Sequence, residues 1–511
     1  MIGINPLTTT QRIINKIIKT YLIVKSHLHQ PSFKHQEKLL FDNIRKSRKT
    51  VFGKKYGFES IKSIKDFQNM VPISHYKDFE PWIIYMLKGE KDITYPGKID
   101  RFATSSGTTG GESKYIPITA EGLKKSHFKG GADALHYFCK NNPRSQFLMG
   151  RGLVVGGGFS PNPYTGEENV GFISAILQKN TPFILKMLKE PGDDIAYMDN
   201  WEEKVHAIIQ TTIHKDIRFI NGQPGRLLNL LYKVLEYTGK KNILEVRPNV
   251  ELFFWGGLPI DLYKSQFEKL LPSKTMQYYQ IYNASEGFFG VQDMNNVDDM
   301  LLLINHGTFY ECIPLDEYGK ENPKVLTLEE VEIDKEYILL ITTCSGLRRY
   351  VIGDVIRFTG VSPWRIKVAG RTKYFIDMIG ERLSLDHIEK AILQTSKLTN
   401  TIITDYTVGP MVFEGGKVRG CHEWIIECLH MPTNKEQFTK TLDSELGKVN
   451  AYYFDERQDT KVLGMPKIHF VEQGTFYARL KSKNKLGGQH KVPKVSNERK
   501  NIDEILEMIH I

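Results

Sequence analysis

Residues 104–114 read Thr-Ser-Ser-Gly-Thr-Thr-Gly-Gly-Glu-Ser-Lys, a crowd of hydroxyls and glycines ending in a lysine. Glycine frees backbone N–H groups to form a concave anion nest. The hydroxyls add donors, and Lys114 adds a mobile positive charge. That is chemistry for holding phosphate. The stretch is not a Walker A loop: Lys114 follows Ser113 rather than glycine, and Tyr115 stands where Ser or Thr is needed. On composition alone, a Ser/Gly-rich surface loop is an equal reading.

Four further constellations lie downstream. Tyr282-Asn-Ala-Ser-Glu-Gly287 follows a strand-like stretch. A carboxylate at a strand end beside small residues suits Mg²⁺, which keeps several waters and needs only one or two protein carboxylates. Taken alone, Glu286 also reads as a surface charge and Tyr282 as core. Tyr350-Val-Ile-Gly-Asp354 reads as an Asp closing a tight turn, able to accept both hydroxyls of a ribose or simply to cap the turn. Gly370-Arg371-Thr-Lys373, followed by Gly380-Glu381 and Asp386-His-Ile-Glu389, reads as a hairpin and a helix start. Finally, Arg479–Lys500 holds eight Lys/Arg and one Glu, a solvated tail or a nucleic-acid arm. Inside it, Gln489-His-Lys491-Val-Pro493-Lys494 places lysines beside a proline-fixed turn.

These residues need elements to carry them. Residues 8–50 read as two helices, and residues 119–140 as another. Leu153–Val155 and Val250–Trp255 are apolar runs ending in glycines, strands followed by turns. Residues 201–239 read as helical around a break at Gly222-Gln223-Pro224-Gly225. Alternating apolar strands and helices predict α/β layers. Beyond residue 300 the pattern becomes β-rich, through 301–304, 308–313, 336–343 and 355–358. Residues 402–408, 421–429 and 467–472 read as strands of a small α+β domain. The expected division is therefore 1–372 and 373–511, with the boundary at Lys373.

The bulk composition is that of an ordinary globular chain: 511 residues, 41% hydrophobic and 25% charged. A net charge of +10 permits nucleic acid, an anionic membrane or an acidic substrate as partner. No stretch is long and apolar enough to span a bilayer. Five cysteines, odd in number and without a C-x-x-C pair, predict a reducing, cytoplasmic setting and argue against a structural zinc site. At the N-terminus Ile13, Ile14, Ile17, Ile18, Tyr21 and Leu22 fall at helical spacing among lysines. A helix packed on the domain is favoured over a transit peptide, because arginine and serine are scarce there.

Taken in order, the motifs resemble those of the adenylate-forming superfamily of acyl-CoA ligases, luciferases and peptide-synthetase adenylation domains. Within it the chain is most similar to the acyl-acid amido synthetases of the plant auxin-responsive Gretchen Hagen family, and especially to their bacterial relatives. The resemblance extends to Phe52-Gly-Lys-Lys-Tyr-Gly57, Val71-Pro-Ile-Ser-His-Tyr76 and Gly346-Leu-Arg-Arg-Tyr-Val-Ile-Gly-Asp-Val355, and runs from about residue 35 to 495. Val351 replaces an arginine of the superfamily pattern, a role expected to pass to Arg349. Asn283 replaces a small residue. Lys494 replaces an arginine and loses its bidentate fork.

The resemblance implies a large N-terminal adenylate-forming domain with layered sheets and a β-rich subdomain, and a small mobile α+β C-terminal domain. It implies ATP and Mg²⁺, a carboxylic acid and an amino acid as substrates, a monomer, and neither nucleic acid nor membrane as partner. Ser105, Ser106, Gly107, Thr108, Thr109 and Gly110 would cradle phosphates, with Lys114 holding the loop or the leaving pyrophosphate. Gly256 and Gly257 would let backbone approach adenine, and Tyr282 would stack on it. Ser285 and Glu286 would lie by the phosphates, Glu286 on Mg²⁺. Asp354 would bind ribose, Arg371 the nucleotide, and Lys373 would mark the hinge. Lys491 would be the catalytic lysine of the mobile domain, with Lys494 the second choice. His306 and His490 are candidate bases for the amine. The acyl pocket is expected among residues 150–185, 220–230 and 305–312. The rival readings are an acyl-CoA ligase with the same first step and a non-catalytic basic protein that binds nucleic acid.

Overall fold

The computed structural model describes residues 9–24, 32–105, 114–222, 224–256, 260–371, 375–376, 381, 383–413, 418, 420–459, 461–483, 492–496 and 499–509. Its N-terminal body begins with β1 (Phe102–Ser105), β2 (Lys114–Pro117), β3 (Arg151–Val154), β4 (Phe159–Ser160) and β5 (Val170–Phe172). There follow β6 (Lys189–Glu190), β7 (Ile217–Gly222), β8 (Leu252–Trp255), β9 (Gln277–Ala284) and β10 (Gly287–Val291). The β-rich part comprises β11 (Met300–Leu302), β12 (Thr308–Pro314), β13 (Glu336–Thr343), β14 (Tyr350–Val361) and β15 (Trp364–Arg371).

An eleven-stranded sheet runs β12-β13-β14-β15-β11-β10-β9-β8-β7-β3-β6, and a smaller sheet runs β2-β1-β5-β4. Strands β6, β3, β7, β8 and β9 are parallel, whereas β9 onward to β12 is antiparallel. In the parallel half, β8 reads Leu-Phe-Phe-Trp and is buried throughout, because helices cover both faces of such a strand. One face packs Phe253 against helices Trp201–Thr212, Pro224–Thr238 and Asp261–Leu270. The other packs Leu252 and Phe254 against Ala134 and Phe138 of helix Lys129–Asn141 and Leu22 of helix Thr9–Val24. The N-terminal helix is thus a packed element, tied down by Lys19 Nζ donating to the Pro143 carbonyl at 2.7 Å.

The C-terminal part holds the hairpin β16 (Phe375–Ile376) and β17 (Leu383–Ser384). It also holds a sheet of β18 (Ile402–Val412), β19 (Gly420–His430) and β20 (Lys467–Glu472) with helices packed on it. Trp424, Phe438 and Leu442 centre its own core. The α/β class, with a large N-terminal region and a smaller α+β C-terminal domain, stands as expected. All five cysteines are buried and free. Among the described residues no helix is long and apolar enough to cross a membrane.

Two local expectations change. Residues 217–222 form strand β7 rather than part of a helical stretch, because β3 and β8 offer hydrogen-bonding edges on both its sides. Asp354 does not close a turn. It lies within the twelve-residue strand β14, opposite Arg371 of β15, and the preceding Gly353 takes φ +88°.

Candidate active site

A cavity of about 1600 Å³ opens between the C-terminal ends of the parallel strands and the C-terminal domain. That is the crevice in which open α/β sheets bind ligands. It exceeds the roughly 300–1,000 Å³ usual for one small molecule, so it has room for more than one substrate. Its far wall belongs to the C-terminal domain: Glu389, Lys390, Arg479, Lys483 and Lys500 face it.

Three sequence-distant motifs converge on this cavity. Ser105 and Lys114 are paired residues of the antiparallel strands β1 and β2, which flank the Ser/Gly-rich stretch in sequence. Ser106, Gly107, Thr108, Thr109 and Gly110 lie outside the described residues. Lys114 faces the cavity, with its ammonium 5.3 Å from the centre of the Tyr76 ring. The Tyr76 hydroxyl in turn accepts from the Tyr115 N–H at 2.9 Å.

Ser285 and Glu286 form the two-residue turn between β9 and β10, closed by the Ala284–Gly287 pair, and both line the cavity. Gly287 is required there: a Cβ would stand 2.8 Å from the Phe289 ring and 3.1 Å from Ser126 Oγ. That hydroxyl accepts from the Phe288 N–H at 3.0 Å and pins the hairpin.

The third motif meets the second directly. The Tyr282 hydroxyl donates to the Asp354 carboxylate, both groups buried on the cavity wall. Tyr282 also meets the Phe289 ring edge-to-face, with centroids 5.2 Å apart. Gly256 follows β8 on the same wall, and a Cβ on it would stand 2.5 Å from the Ile281 carbonyl oxygen. Gly257 and Lys373 lie outside the described residues, as does the Arg371 side chain, whose backbone ends β15.

Other expected residues are elsewhere. Arg349 cannot cover for Val351: it is buried, paired with Glu311 at 3.1 Å, and donates to the carbonyls of Val71 and Gln68. Its neighbour Arg348 is likewise spent on the Thr343 carbonyl and the Ser47 hydroxyl, each at 2.7 Å. His306 is buried against Asp133 at 2.8 Å and is not a cavity residue. His490 and Lys491 lie outside the described residues. Lys494 is held inside the C-terminal domain, paired with Asp405 and 4.5 Å from the Tyr406 ring centre, while the adjacent Pro493 reaches the cavity. Of the expected pocket segments, 150–185 and Asn221 and Gly222 contribute, and 305–312 does not.

Sequence reasoning missed the helical wall. Residues Leu123–Phe128 form a π-helical turn, a geometry frequent at functional sites, and carry Lys124, His127 and Phe128 to the cavity. His127 Nδ1 lies 3.1 Å from the Asn283 side-chain oxygen. Burial pushes the imidazole down to about 4, so it is neutral at pH 7. Asn283, the departure from a small residue, thus has a partner. Ile18 and Leu22 of the N-terminal helix also line the cavity. Only their helical spacing was visible in the sequence.

Among the lining side chains, lysines and arginines outnumber carboxylates, which suits a polyanionic ligand. Among the described residues no three metal-ligating side chains gather. A lone Glu286 beside Ser285 still fits Mg²⁺ shared with phosphates.

The profile of the GH3 family N-terminal domain matches residues 27–276, that of the GH3 family central domain residues 301–371, and that of the GH3 family C-terminal domain residues 386–500. Indole-3-acetic acid-amido synthetase GH3.3 of Arabidopsis thaliana is 23% identical, over 90% of this chain and 88% of its own. Indole-3-acetic acid-amido synthetase GH3.8 of Oryza sativa subsp. indica is 23% identical over 71% and 70%. Among solved structures, the GH3.15 acyl acid amido synthetase superposes with a TM-score of 0.78 at 16% identity, covering 98% of this chain and 97% of its own. A 2-hydroxyisobutyryl-CoA ligase in its postadenylation state gives 0.52 at 12% identity, covering 97% and 92%. With all three GH3 domains matched in succession over most of its length, this chain belongs to the GH3 family, on the fold of the adenylate-forming enzymes.

Proposed function

We propose that this chain is an ATP-dependent acyl-acid amido synthetase, with the cavity as its active site. In the first step a substrate carboxylate oxygen attacks the α-phosphorus of ATP, and the bond to pyrophosphate breaks. In the second an amine, an amino acid by analogy with the amido synthetases, attacks the acyl carbon and AMP leaves. One observation carries the reading: Lys114, the Ser285–Glu286 turn and the Tyr282–Asp354 pair, drawn from three distant stretches, face one cavity.

Catalysis of the first step is positioning and charge neutralisation, since no enzyme nucleophile is required. Lys114, with the Ser/Thr/Gly stretch that precedes it in sequence, holds phosphate oxygens. Glu286 and Ser285 would hold Mg²⁺, which when bound neutralises phosphate charge. Asp354, oriented by Tyr282, accepts the ribose hydroxyls. Gly256 keeps the β8 end low enough for the base to lie against it. Lys491 is the lysine proposed to reach the α-phosphate region from the C-terminal domain. Lys494 needs a rearranged domain to do so, because its ammonium is engaged by Asp405.

The test is carboxylate-dependent ATP–pyrophosphate exchange across a panel of acids, followed by product mass spectrometry with amino acids or CoA. Lys114→Ala and Glu286→Ala are each expected to lower exchange by about 10²-fold or more, the scale of a lost charge stabiliser, while circular dichroism stays unchanged. Undiminished exchange in both variants would remove the assignment.

A further inference from the structure

Among the described residues the buried cations have visible employment. Lys204 Nζ donates to the Gly156 and Ala196 carbonyls, Arg247 to the Thr212 carbonyl and hydroxyl, and Arg349 pairs with Glu311. Lys189 differs. It sits on edge strand β6 and faces the same cavity as the nucleotide motifs, four strands across the sheet from β9. Its ammonium donates to the Thr181 hydroxyl at 3.1 Å. Among the described residues no carboxylate lies within ion-pair distance of it. Asp193, whose charge acts on it, is paired with Lys186 at 2.8 Å.

The register explains how the lysine comes to face the cavity. Lys189 pairs with Gly152 of β3, which pairs in turn with Phe219 of β7. A Cβ on Gly152 would stand 1.9 Å from the Phe219 ring. These positions share the sheet face that forms the cavity floor, and the floor between β6 and β9 is mostly apolar, with Val154, Phe219 and Phe254 lining the cavity beside Asn221. An ammonium among such neighbours is costly without a counter-charge. Burial accordingly pushes it down to about 8, with Lys186 adding to the effect and Asp193 opposing it.

We propose that Lys189, with the Thr181 hydroxyl, is an anion-binding subsite for a second carboxylate of a substrate, beyond the apolar floor from the nucleotide. The two sources are a distal carboxylate on the acyl acid and the α-carboxylate of the amino-acid acceptor. The apolar floor between the two polar ends matches an acyl acid with an apolar body and an acidic far end. This inference takes the two substrate classes from the function proposed above.

The test measures equilibrium binding by calorimetry, independently of turnover, on the full chain. The probes are straight-chain monocarboxylates with their α,ω-dicarboxylate counterparts, and amino acids with their α-amides. The wild type is expected to prefer the doubly anionic acid, or the free-carboxylate amino acid, by about tenfold or more, equivalent to about 1.4 kcal/mol. Lys189→Arg should keep that preference and Lys189→Met should lose it, while monocarboxylate affinity stays within about twofold. Loss confined to the dicarboxylate series assigns the subsite to the acyl acid, and loss confined to the amino-acid series assigns it to the acceptor. A preference that survives in Lys189→Met, or is absent from the wild type in both series, overturns the proposal. Failure of pyrophosphate exchange with every acid would instead overturn the function, and is read in a separate assay.

Discussion

At the scale of single residues, the Tyr282–Asp354 hydrogen bond is the joint between two motifs. A hydrogen bond to a buried charged group contributes about 1.5–3 kcal/mol. Tyr282→Phe is expected to destabilise the fold by about that amount in chemical denaturation and to raise the KM for ATP. An unchanged KM with reduced stability would restrict the tyrosine to scaffolding. Lys189 gives a pH prediction of definite sign. Its folded value, about 8, lies below the ordinary lysine value of 10.5. Below pH 8 both folded and unfolded chains hold the proton, and the folded chain carries the full burial penalty. Between pH 8 and 10.5 the folded chain releases it first, so this contribution to stability rises with pH. Lys189→Met should therefore be more stable than wild type at pH 7, by up to about 3 kcal/mol, with the gap closing as pH approaches 10. A constant gap in denaturation curves across that range would contradict it.

At the scale of elements, turns and strand ends do the positioning. The β9–β10 hairpin presents Ser285 and Glu286 at its tip, and β2 begins at Lys114, paired with Ser105 of β1. Gly256 is needed because β8 and β9 approach closely where they end. Since the obstructing atom is backbone, Gly256→Ala should cost about 1–3 kcal/mol as overpacking and weaken nucleotide binding in the same variant. Wild-type melting and affinity would disprove the close approach. These turns were legible because glycine, small residues and a polar pair mark a turn locally. Strand β7 and the placement of Asp354 inside β14 were not. A strand's identity depends on neighbours supplied by distant sequence, and Gly353-Asp354 carries a turn-like composition into a strand.

At the scale of the whole molecule, the C-terminal domain closes one side of the cavity through Arg479, Lys483 and Lys500, and beside the packing of Tyr477 on the N-terminal core part of its attachment is polar and exposed. Tyr477 donates to Glu202 at 2.8 Å and Lys481 approaches the same carboxylate at 3.4 Å. Contacts of this kind hold an orientation weakly. Glu202→Ala is expected to leave the melting temperature unchanged while increasing the radius of gyration in small-angle scattering. An unchanged scattering profile would argue that apolar contacts fix the arrangement.

The sequence by itself supplied the motifs: a Ser/Thr/Gly stretch ending in Lys114, the Ser285–Glu286 pair, Asp354 and a late lysine motif, in an order that pointed to the GH3 family. Those signals are local, since each depends on residue types within a few positions. Only the tertiary structure decided which of them meet. It joined Tyr282 to Asp354, spent Arg349 on Glu311, turned Lys494 toward Asp405, and made Ile18 and Leu22 part of the cavity wall. Lys189 illustrates the reason. It lies in a two-residue strand with no pattern to read, and what makes it distinctive is partial burial in the cavity with no acidic partner among the described residues. Burial and partnership are set by sheet register and packing across hundreds of residues, not by neighbours in the chain.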